Sequence, residues 1–259
     1  MTDLKSMTGV ERQEYILQLL AHQPRVTVGY LCSLFDVSEA TARRDLEALA
    51  EQGKVQRVHG GAVATRQAPP EPPVLLRSNQ MIEEKKRIAH AAAELVHDGE
   101  TIFLGSGSTA LEVAQELKSR QNLTVITNSL LVSNALAGVQ AITLINTGGI
   151  FRHSELSFIG HIAEQALVEL RADKVIMGIH AIDIEQGLTN DYLPETMTDR
   201  AILRVGRQVI IVADHTKLGC VSTAFVAPIT AMHTLVTSNG APSSLLDELR
   251  ERGVRVIAV

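Results

Sequence analysis

The sequence contains few aromatic residues and no tryptophan. Phenylalanine and tyrosine together make up 3% of its 259 residues. Proteins that bind single-stranded nucleic acid need aromatic side chains on which successive bases can stack. This composition therefore argues against a single-strand-binding surface.

Cysteines and long apolar runs are scarce as well. Cys32 and Cys220 lie far apart, each in an apolar stretch, which indicates reduced core thiols rather than a disulfide bond. No apolar run approaches the length of a membrane span, and the opening MTDLKSMTGVERQEY has no apolar signal segment. We therefore expect a soluble, cytoplasmic protein.

Charge is distributed unevenly along the chain. The net charge is -5, which by itself argues weakly against a nucleic-acid partner, and 45% hydrophobic residues indicate a packed globular protein. Residues 1–68 contain eight Lys/Arg and eight Asp/Glu, and five of those cations fall between Arg43 and Arg66. A local basic patch of this kind is what a DNA duplex would meet.

A proline-rich segment divides the chain. Four of the eight prolines fall within residues 69–73, which favours an extended spacer and excludes a continuous helix. We predict a first domain at residues 1–65, a linker at 66–81 and a second domain at 82–259.

The first domain has the pattern of a winged helix-turn-helix. An apolar stripe begins the first helix, Thr27 can cap a second, and Ser38 can cap a third after a tight turn at Asp36 and Val37. Gly53 is expected to end the third helix, and VQRV with HGGAV reads as two short strands around a glycine turn. In this arrangement the third helix enters the major groove of DNA.

Small and basic residues lie on one side of the third helix. Arg43 and Arg44 are about 100° apart there, so one can reach a phosphate while the other contacts guanine. The alternative is an Arg43–Glu47 surface pair of little consequence, and Asp45 is expected to be structural. The predicted DNA-binding residues of the helix and the wing are Ser38, Ala40, Thr41, Arg43, Arg44, Lys54, Arg57, His59 and Gly60.

This segment, SEATARRDLEALAEQGKVQRVHGGA, resembles the signature of the DeoR family of bacterial transcriptional regulators. The similarity continues through EKKRIAHAAAELVHDGETIFLGSGST, TNS, TGG and DKVIMGIHAID to ADHTKLG, and so covers nearly the whole chain. The resemblance implies binding to double-stranded operator DNA, usually to repress sugar or nucleoside catabolism. Because so small a DNA-binding unit usually recognises two half-sites, we expect self-association as a dimer or tetramer.

The second domain alternates strand-like and helix-like segments. TIFLG, LTVITN, AITLINTGG, KVIMGI, QVIIVAD, TLVTSN and VRVIAV are strand-like, whereas LEVAQELK, LLVSNAL, HIAEQALVEL and SLLDELRERG are helix-like. This alternation predicts an α/β domain around a mostly parallel sheet. Ligands of such sheets bind at the carboxyl ends of the strands.

Three loops that follow strands carry groups suited to an anion. GSGST opens a helix whose backbone N–H groups suit a phosphate, and two later loops repeat the geometry, although each could be only a tight connection. The spacing fits neither Walker A nor the dinucleotide motif, and we predict no cofactor and no metal. The predicted effector-binding residues are Ser106, Gly107, Ser108, Thr109, Thr127, Asn128, Gly148, Gly149, His180, Asp183, Glu195, Asp214 and Lys217.

Two of these residues could instead have roles unrelated to effector binding. Lys217 could be a solvated loop charge, and His180 a hydrogen-bonded interior imidazole.

The family resemblance implies that the second domain is a sugar-phosphate-isomerase-like sensor of a phosphorylated sugar. The chain departs from the family pattern at Gly105, where aspartate is common, and at His180–Ala181, where Asp-Gly is common. The predicted function is repression of a sugar-catabolism operon, relieved by a phosphorylated sugar.

Two alternatives remain for the second domain. One is an active isomerase fused to a DNA-binding unit, in which Asp183, Glu195 and Lys217 could act as base and electrophile. The other is an α/β scaffold that binds no small ligand.

Overall fold

The structure is a computed structural model that describes residues 4, 7–23, 25–51, 54–64 and 68–259. The chain divides into two compact units, Met1–Pro69 and Pro70–Val259. The expected helix end at Gly53 and the cation Arg66 lie outside the described residues. Within the described ranges, no helix is long and apolar enough to cross a membrane.

The first unit is a winged helix-turn-helix, as predicted. Its strands form a sheet in the order β1-β3-β2, and β1 was not expected from the sequence. The elements are α1 (Gly9–His22), β1 (Arg25–Thr27), α2 (Val28–Phe35), α3 (Glu39–Glu51), β2 (Val55–Val58) and β3 (Gly61–Ala64).

Side-chain caps begin the helices of this unit. The Thr27 hydroxyl accepts the N–H of Tyr30 at 3.2 Å, and the Ser38 hydroxyl accepts the N–H of Thr41 at 3.2 Å. Asp36 adopts a left-handed conformation with φ 56° between the two helices. Both predicted caps and the tight turn are therefore confirmed.

Close packing joins β1 to the wing. Leu31, Phe35 and Leu46 are among the buried core residues of this unit. A Cβ added to Gly61 would lie 2.0 Å from the carbonyl oxygen of Val26, so β1 and β3 can pair only if this residue is glycine.

Asp45 holds an arginine inside the unit. Its carboxylate accepts a hydrogen bond from Nε of Arg12 at 2.8 Å, and both side chains are largely buried. Arg12 also donates to the carbonyl oxygen of Met7 at 2.8 Å. The expected structural role of Asp45 is confirmed, and it joins α3 to α1.

The second unit is an α/β domain. Its elements are α4 (Val74–Arg77), α5 (Ile82–Ala93), β4 (Thr101–Leu104), α6 (Ser108–Glu116), β5 (Leu123–Thr127), α7 (Leu130–Leu136), β6 (Ile142–Asn146), β7 (Ile150–Arg152), β8 (Ser157–Ile159), α8 (His161–Glu169), β9 (Ala172–Met177), β10 (Ala181–Asp183), β11 (Gly187–Asn190), α9 (Leu193–Val205), β12 (Gly206–Val212), β13 (Ala224–Ala227), β14 (Thr234–Thr237), α10 (Ser243–Glu251) and β15 (Arg255–Ala258).

A parallel sheet forms the centre of this unit. In the described residues its seven strands run in the order β15-β14-β12-β9-β4-β5-β6. Successive residues of one strand enter different cores: Ile102 and Leu104 lie in one cluster and Phe103 in the other. Both faces of the sheet are therefore covered, as parallel sheets require.

Smaller antiparallel elements border the main sheet and were not predicted. β7 pairs with β8, and β10, β11 and β13 form a separate sheet. The residues around Glu195 were expected to form a loop, but they begin α9. Pro194 lies in the first turn of α9, where proline is favourable because its missing N–H has no partner to lose.

The predicted linker also differs from the structure. Residues 70–81 belong to the second unit. Val74 is fully buried, and its N–H donates to the carbonyl oxygen of Ser154 at 2.8 Å. Prolines impose an extended backbone but do not prevent that backbone from packing, so composition alone overestimated the length of the spacer.

We predict that Asp45→Asn destabilises the first unit by about 2 kcal/mol, because the largely buried guanidinium of Arg12 loses its charged partner. Calorimetry on the full chain should show a lower midpoint for the transition that includes this unit. The control is Asp247→Asn, which removes an exposed partner of Arg250 and should cost little. Equal midpoints for the two variants would contradict the role given to Asp45.

Candidate functional sites

One side of α3 is exposed and basic. Ala42, Leu46 and Leu49 are buried, whereas Arg43 and Arg44 face outward. Arg43 pairs with Glu39 at 3.2 Å across one helical turn, and not with Glu47. The side chain of Arg44 has no hydrogen bond or ion pair to any residue in the described part of the chain, so its five guanidinium donors are available to a partner.

The wing is braced against the rest of the unit by two arginines. Arg57 donates from Nη1 to the carbonyl oxygen of Arg43 at 3.0 Å. Arg25 donates from Nη2 to the carbonyl oxygen of His59 at 2.6 Å. Arg25 was not among the predicted DNA-binding residues, because its role depends on β1.

The remaining predicted DNA-binding residues lie on the same exposed surfaces. Ala40 is exposed in the first turn of α3, and Lys54, His59 and Gly60 are exposed at the wing. Ser38 and Thr41 are joined by a 3.0 Å contact between their hydroxyls.

In the second unit, a polar cavity of about 150 Å³ lies at the carboxyl ends of β4, β9 and β12. The sheet brings these ends together although their loops are far apart in the chain. The predicted effector-binding residues that line the cavity are Ser106, Gly107, Ser108, Thr109, Asn128, His180, Glu195, Asp214 and Lys217.

The N-terminus of α6 opens onto this cavity. Gly107 is its N-cap, with φ 111°, a conformation that favours glycine, and no side chain caps the helix. Ser108, Thr109 and Ala110 all line the cavity. An anion in the cavity could therefore accept hydrogen bonds from their backbone N–H groups, and the helix dipole would favour its negative charge.

A cluster of cations and carboxylates forms a second wall. Arg77 lies between Glu71, at 2.6 Å, and Glu155. Lys85 is buried and donates from Nζ to the carbonyl oxygen of Arg77 at 2.6 Å. Burial lowers the pKa of Lys85, and the nearby Asp214 carboxylate opposes that effect.

A second buried cluster contains two carboxyl groups with raised pKa values. Burial raises the pKa of Glu195 from 4.5 to about 7, although Arg152 forms an ion pair with it. Burial also raises the pKa of Asp199, with a further contribution from Glu195. Asp199 accepts a hydrogen bond from the side-chain amide of Asn190, and this wall can both donate and accept hydrogen bonds.

Some of the predicted effector-binding residues lie outside the cavity lining. Asp183 uses one carboxylate oxygen to accept the N–H groups of Glu185 and Gln186, both at 2.9 Å. Thr127 is fully buried and accepts the N–H of Ser129 at 3.0 Å. These two side chains organise loops instead.

The loop of Gly148 and Gly149 likewise has a local role. Gly148 donates its N–H to the side chain of Asn146 at 2.9 Å. A Cβ on Gly149 would lie 2.7 Å from the carbonyl oxygen of Ile159, so this glycine allows close packing against β8.

The two departures from the family pattern both fall at the cavity. A Cβ on Gly105 would lie 3.0 Å from Cβ of Met177, so a larger residue would displace that side chain. The ring of His180 is buried, with Nδ1 3.6 Å from a carboxylate oxygen of Asp191 and 3.8 Å from one of Glu71.

Several polar residues of the lining were not among the predicted effector-binding residues: Glu71, Arg77, Lys85, Arg152, Glu155, Asn190, Asp191 and Asp199. Most of them come from α4, α5 and the β7–β8 hairpin, or from β11 and α9. The one available signal was Glu71, a single carboxylate among four prolines.

Two protein-family models match this chain and identify the family to which the protein belongs. Residues 12–68 match the DeoR-like helix-turn-helix domain, and residues 80–239 match the DeoR C terminal sensor domain. The chain belongs to the DeoR family. This DeoR-family chain is a DNA-binding transcriptional regulator, which agrees with the exposed basic helix and wing of its first unit.

Relatives align over nearly their full lengths. The transcriptional repressor AccR of Agrobacterium fabrum is 35% identical over 248 residues, covering 94% of this chain and 96% of AccR. The transcriptional repressor CsqR of Escherichia coli K12 is 31% identical over 254 residues, covering 98% of this chain and 97% of CsqR. GolR of Listeria innocua, a transcriptional regulator, is 35% identical over 250 residues, covering 96% and 98%.

Solved structures similar to this DeoR-family chain are more distant. Ribose 5-phosphate isomerase A of Methanocaldococcus jannaschii superposes with a TM-score of 0.39 and 21% identity, covering 52% of this chain and 53% of the isomerase. The translation initiation factor eIF-2B of Pyrococcus horikoshii superposes with a TM-score of 0.43 and 15% identity, covering 91% and 84%.

We predict that Glu195 makes the chain less stable as the pH rises. An acid whose pKa is higher in the folded chain keeps its proton longer there, so stability is lost between about pH 4.5, its unfolded value, and about pH 7. Since one pKa unit corresponds to about 1.4 kcal/mol, the loss between these two pH values should be on the order of 3 kcal/mol. Denaturant titrations of the parent, Glu195→Gln and the exposed control Glu169→Gln at several pH values measure it.

The Glu195→Gln curve should be flatter than the parent curve across this range, and the control curve should follow the parent. A Glu195→Gln curve identical to the parent curve would contradict the assignment of the pKa near 7 to this group.

Proposed function

We propose that this regulator is a repressor that releases its operator DNA when a phosphorylated sugar binds the cavity of the second unit. The observation that carries the effector class is the uncapped N-terminus of α6, which opens into a cavity that also contains basic and acidic side chains. A phosphate satisfies the helix N-terminus, and hydroxyl groups satisfy the mixed donors and acceptors opposite it. AccR and CsqR are named repressors, which supports the proposed sign.

The cavity offers different chemistry to the two ends of such a ligand. The N–H groups of Ser108, Thr109 and Ala110 would hold the phosphate, and Lys217 and Lys85 would supply positive charge. Asn190 and Asp199 would bind sugar hydroxyls, because a carboxyl group with a raised pKa can donate as well as accept.

The regulator would act in the cytoplasm as a dimer or larger assembly. A recognition helix the size of α3 reads only a few base pairs, and two copies bound to half-sites one helical turn apart supply the remaining affinity.

We propose sensing rather than turnover for the second unit. An isomerase needs a positioned base and a cation beside the reacting carbon. Of the earlier candidates, Asp183 is engaged by two backbone N–H groups and Lys217 is paired with Glu71. Glu195 is the candidate that favours an isomerase, because its raised pKa suits a general base. Conversion of phosphorylated pentoses or hexoses by the purified chain would show that the second unit is an active isomerase.

The DNA-binding surface can be tested by separating base readout from phosphate contact. Arg44→Ala should weaken binding to the specific site by about 1–3 kcal/mol and relax base preference, since a guanidinium can contact guanine through two donors. Lys54→Ala should weaken binding to all duplexes and reduce the salt dependence, because it removes one phosphate contact.

Fluorescence anisotropy with an operator selected in vitro and with a scrambled duplex, over a salt titration, measures both effects. Arg250→Ala on α10 is the control, since it removes an exposed arginine of the second unit. If Arg44→Ala binds both duplexes as the parent does, Arg44 does not read the operator.

The effector site can be tested with a charge placed at the first residue of α6. Ser108→Asp should abolish the binding of phosphorylated sugars, because the carboxylate would occupy the N-terminus of the helix and repel the phosphate. Calorimetry against a panel of phosphorylated pentoses and hexoses measures binding. Ser243→Asp is the matched control, since Ser243 is the first residue of α10. Unchanged affinity in Ser108→Asp would show that the phosphate does not bind at the N-terminus of α6.

A further inference from the structure

One carboxylate in the cavity comes from the segment that continues directly from the DNA-binding unit. The first unit ends at Pro69, and Glu71 follows two residues later. Pro70, Pro72 and Pro73 are exposed, whereas the side chain of Glu71 is only 17% exposed and lines the cavity. A solvated linker would not turn its single acidic group inward, so the contacts of Glu71 require an explanation.

Glu71 is bound by the cations of the cavity. One carboxylate oxygen pairs with Lys217, and the other lies 2.6 Å from Nη1 of Arg77 and 3.8 Å from Nδ1 of His180. Burial raises the pKa of Glu71, but Lys217 and Arg77 outweigh burial, and the pKa is lowered. The group is therefore an ionised carboxylate held by positive charge.

Lys217 is the cation that a bound phosphate would also need. Its side chain is partly exposed and lines the same cavity as Ser108 and Thr109 at the N-terminus of α6. A phosphate dianion near Lys217 would meet a carboxylate already in place, and like charges at close range repel each other. If Glu71 left, Arg77 would lose one of its two carboxylate partners and keep Glu155, whereas a bound phosphate would take the place of Glu71 at Lys217.

We infer that Glu71 is an internal competitor of the effector, so that it sets the charge the effector must carry and moves the connecting segment when it is displaced. This inference rests on the proposed phosphate site. A neutral sugar offers Lys217 no negative charge in exchange for the carboxylate, whereas a dianion does. Glu71 thus determines which effectors can bind, and it also holds segment 69–73 to the cavity wall through Lys217 and Arg77.

The segment is anchored at its far end and constrained by prolines near the DNA-binding unit. Val74 is fully buried, and its N–H bonds to Ser154. Displacement of Glu71 would therefore move residues on the N-terminal side of Val74 and leave Val74 in place. Because proline restricts the backbone there, a change at Glu71 is transmitted along the segment rather than absorbed by it.

The affinity of a site that is open for only part of the time is reduced by the fraction of time that it is open. If the carboxylate occupies Lys217 in most molecules, Glu71→Gln should raise the affinity for inorganic phosphate by about fivefold or more. Glutamine has the same shape and retains a hydrogen-bonding group, but it carries no charge. Glu83→Gln is the control, since Glu83 is exposed and pairs with Lys86 on α5.

Calorimetric titration of the full-length parent and both variants with inorganic phosphate distinguishes the outcomes. Tighter binding in Glu71→Gln alone supports the inference. Equal affinity in all three chains overturns it but leaves the proposed phosphate site intact. Absence of phosphate binding in every chain overturns both proposals.

Movement of the segment can be followed with a single tryptophan, because the chain contains none. Pro72→Trp places the reporter beside Glu71 at an exposed position. In an otherwise unchanged chain, phosphate should shift the emission as the segment leaves the cavity wall. Combined with Glu71→Gln, the reporter should show the shifted emission before phosphate is added and should change little afterwards.

Emission that responds to phosphate equally in both backgrounds would overturn the inference, because the response would then not depend on the carboxylate. Emission that does not respond in either background, in chains that calorimetry shows to bind phosphate, would overturn it as well.

Discussion

Charge compensation inside one cavity is the constraint on which the second unit depends. Burying a carboxylate or an ammonium group is costly unless a partner neutralises it. Here Arg77, Lys217 and Arg152 are each matched with carboxylates that come from different elements. The pairs hold α4, α9 and the β7–β8 hairpin around the carboxyl ends of the parallel strands. They also leave the N-terminus of α6 without a side-chain partner, so an anion has a place to bind.

The first unit also pairs its buried charges internally, but it leaves one basic side chain exposed for contact with another molecule. Its buried pair, Arg12 with Asp45, fixes α3 against α1. Arg57 and Arg25 each hold part of the wing through a backbone carbonyl oxygen. With these groups engaged internally, Arg44 is left exposed and without a partner among the described residues, which suits a side chain that must contact another molecule.

A regulator of this kind needs effector binding to change the operator affinity, and a coupling of about 1–3 kcal/mol changes it 5- to 150-fold. A carboxylate next to the junction of the two units, held by cations of the effector cavity, provides a physical route for that coupling. Glu71 pairs with Lys217, and in the chain it lies two residues after the end of the DNA-binding unit.

The sequence by itself determined the strands of the main sheet, the helices of the first unit and the class of the protein. Local patterns were sufficient for the caps at Thr27 and Ser38, the strands of the parallel sheet and the loop at Gly107, since caps, periodicity and glycine turns depend on neighbours in the chain. Only the tertiary structure decided which charges meet. Glu71 and Lys217 are 146 residues apart, and no periodicity relates them. Pairing, burial and the resulting pKa values are properties of long-range packing, so they emerged only when the sheet brought the loop ends together.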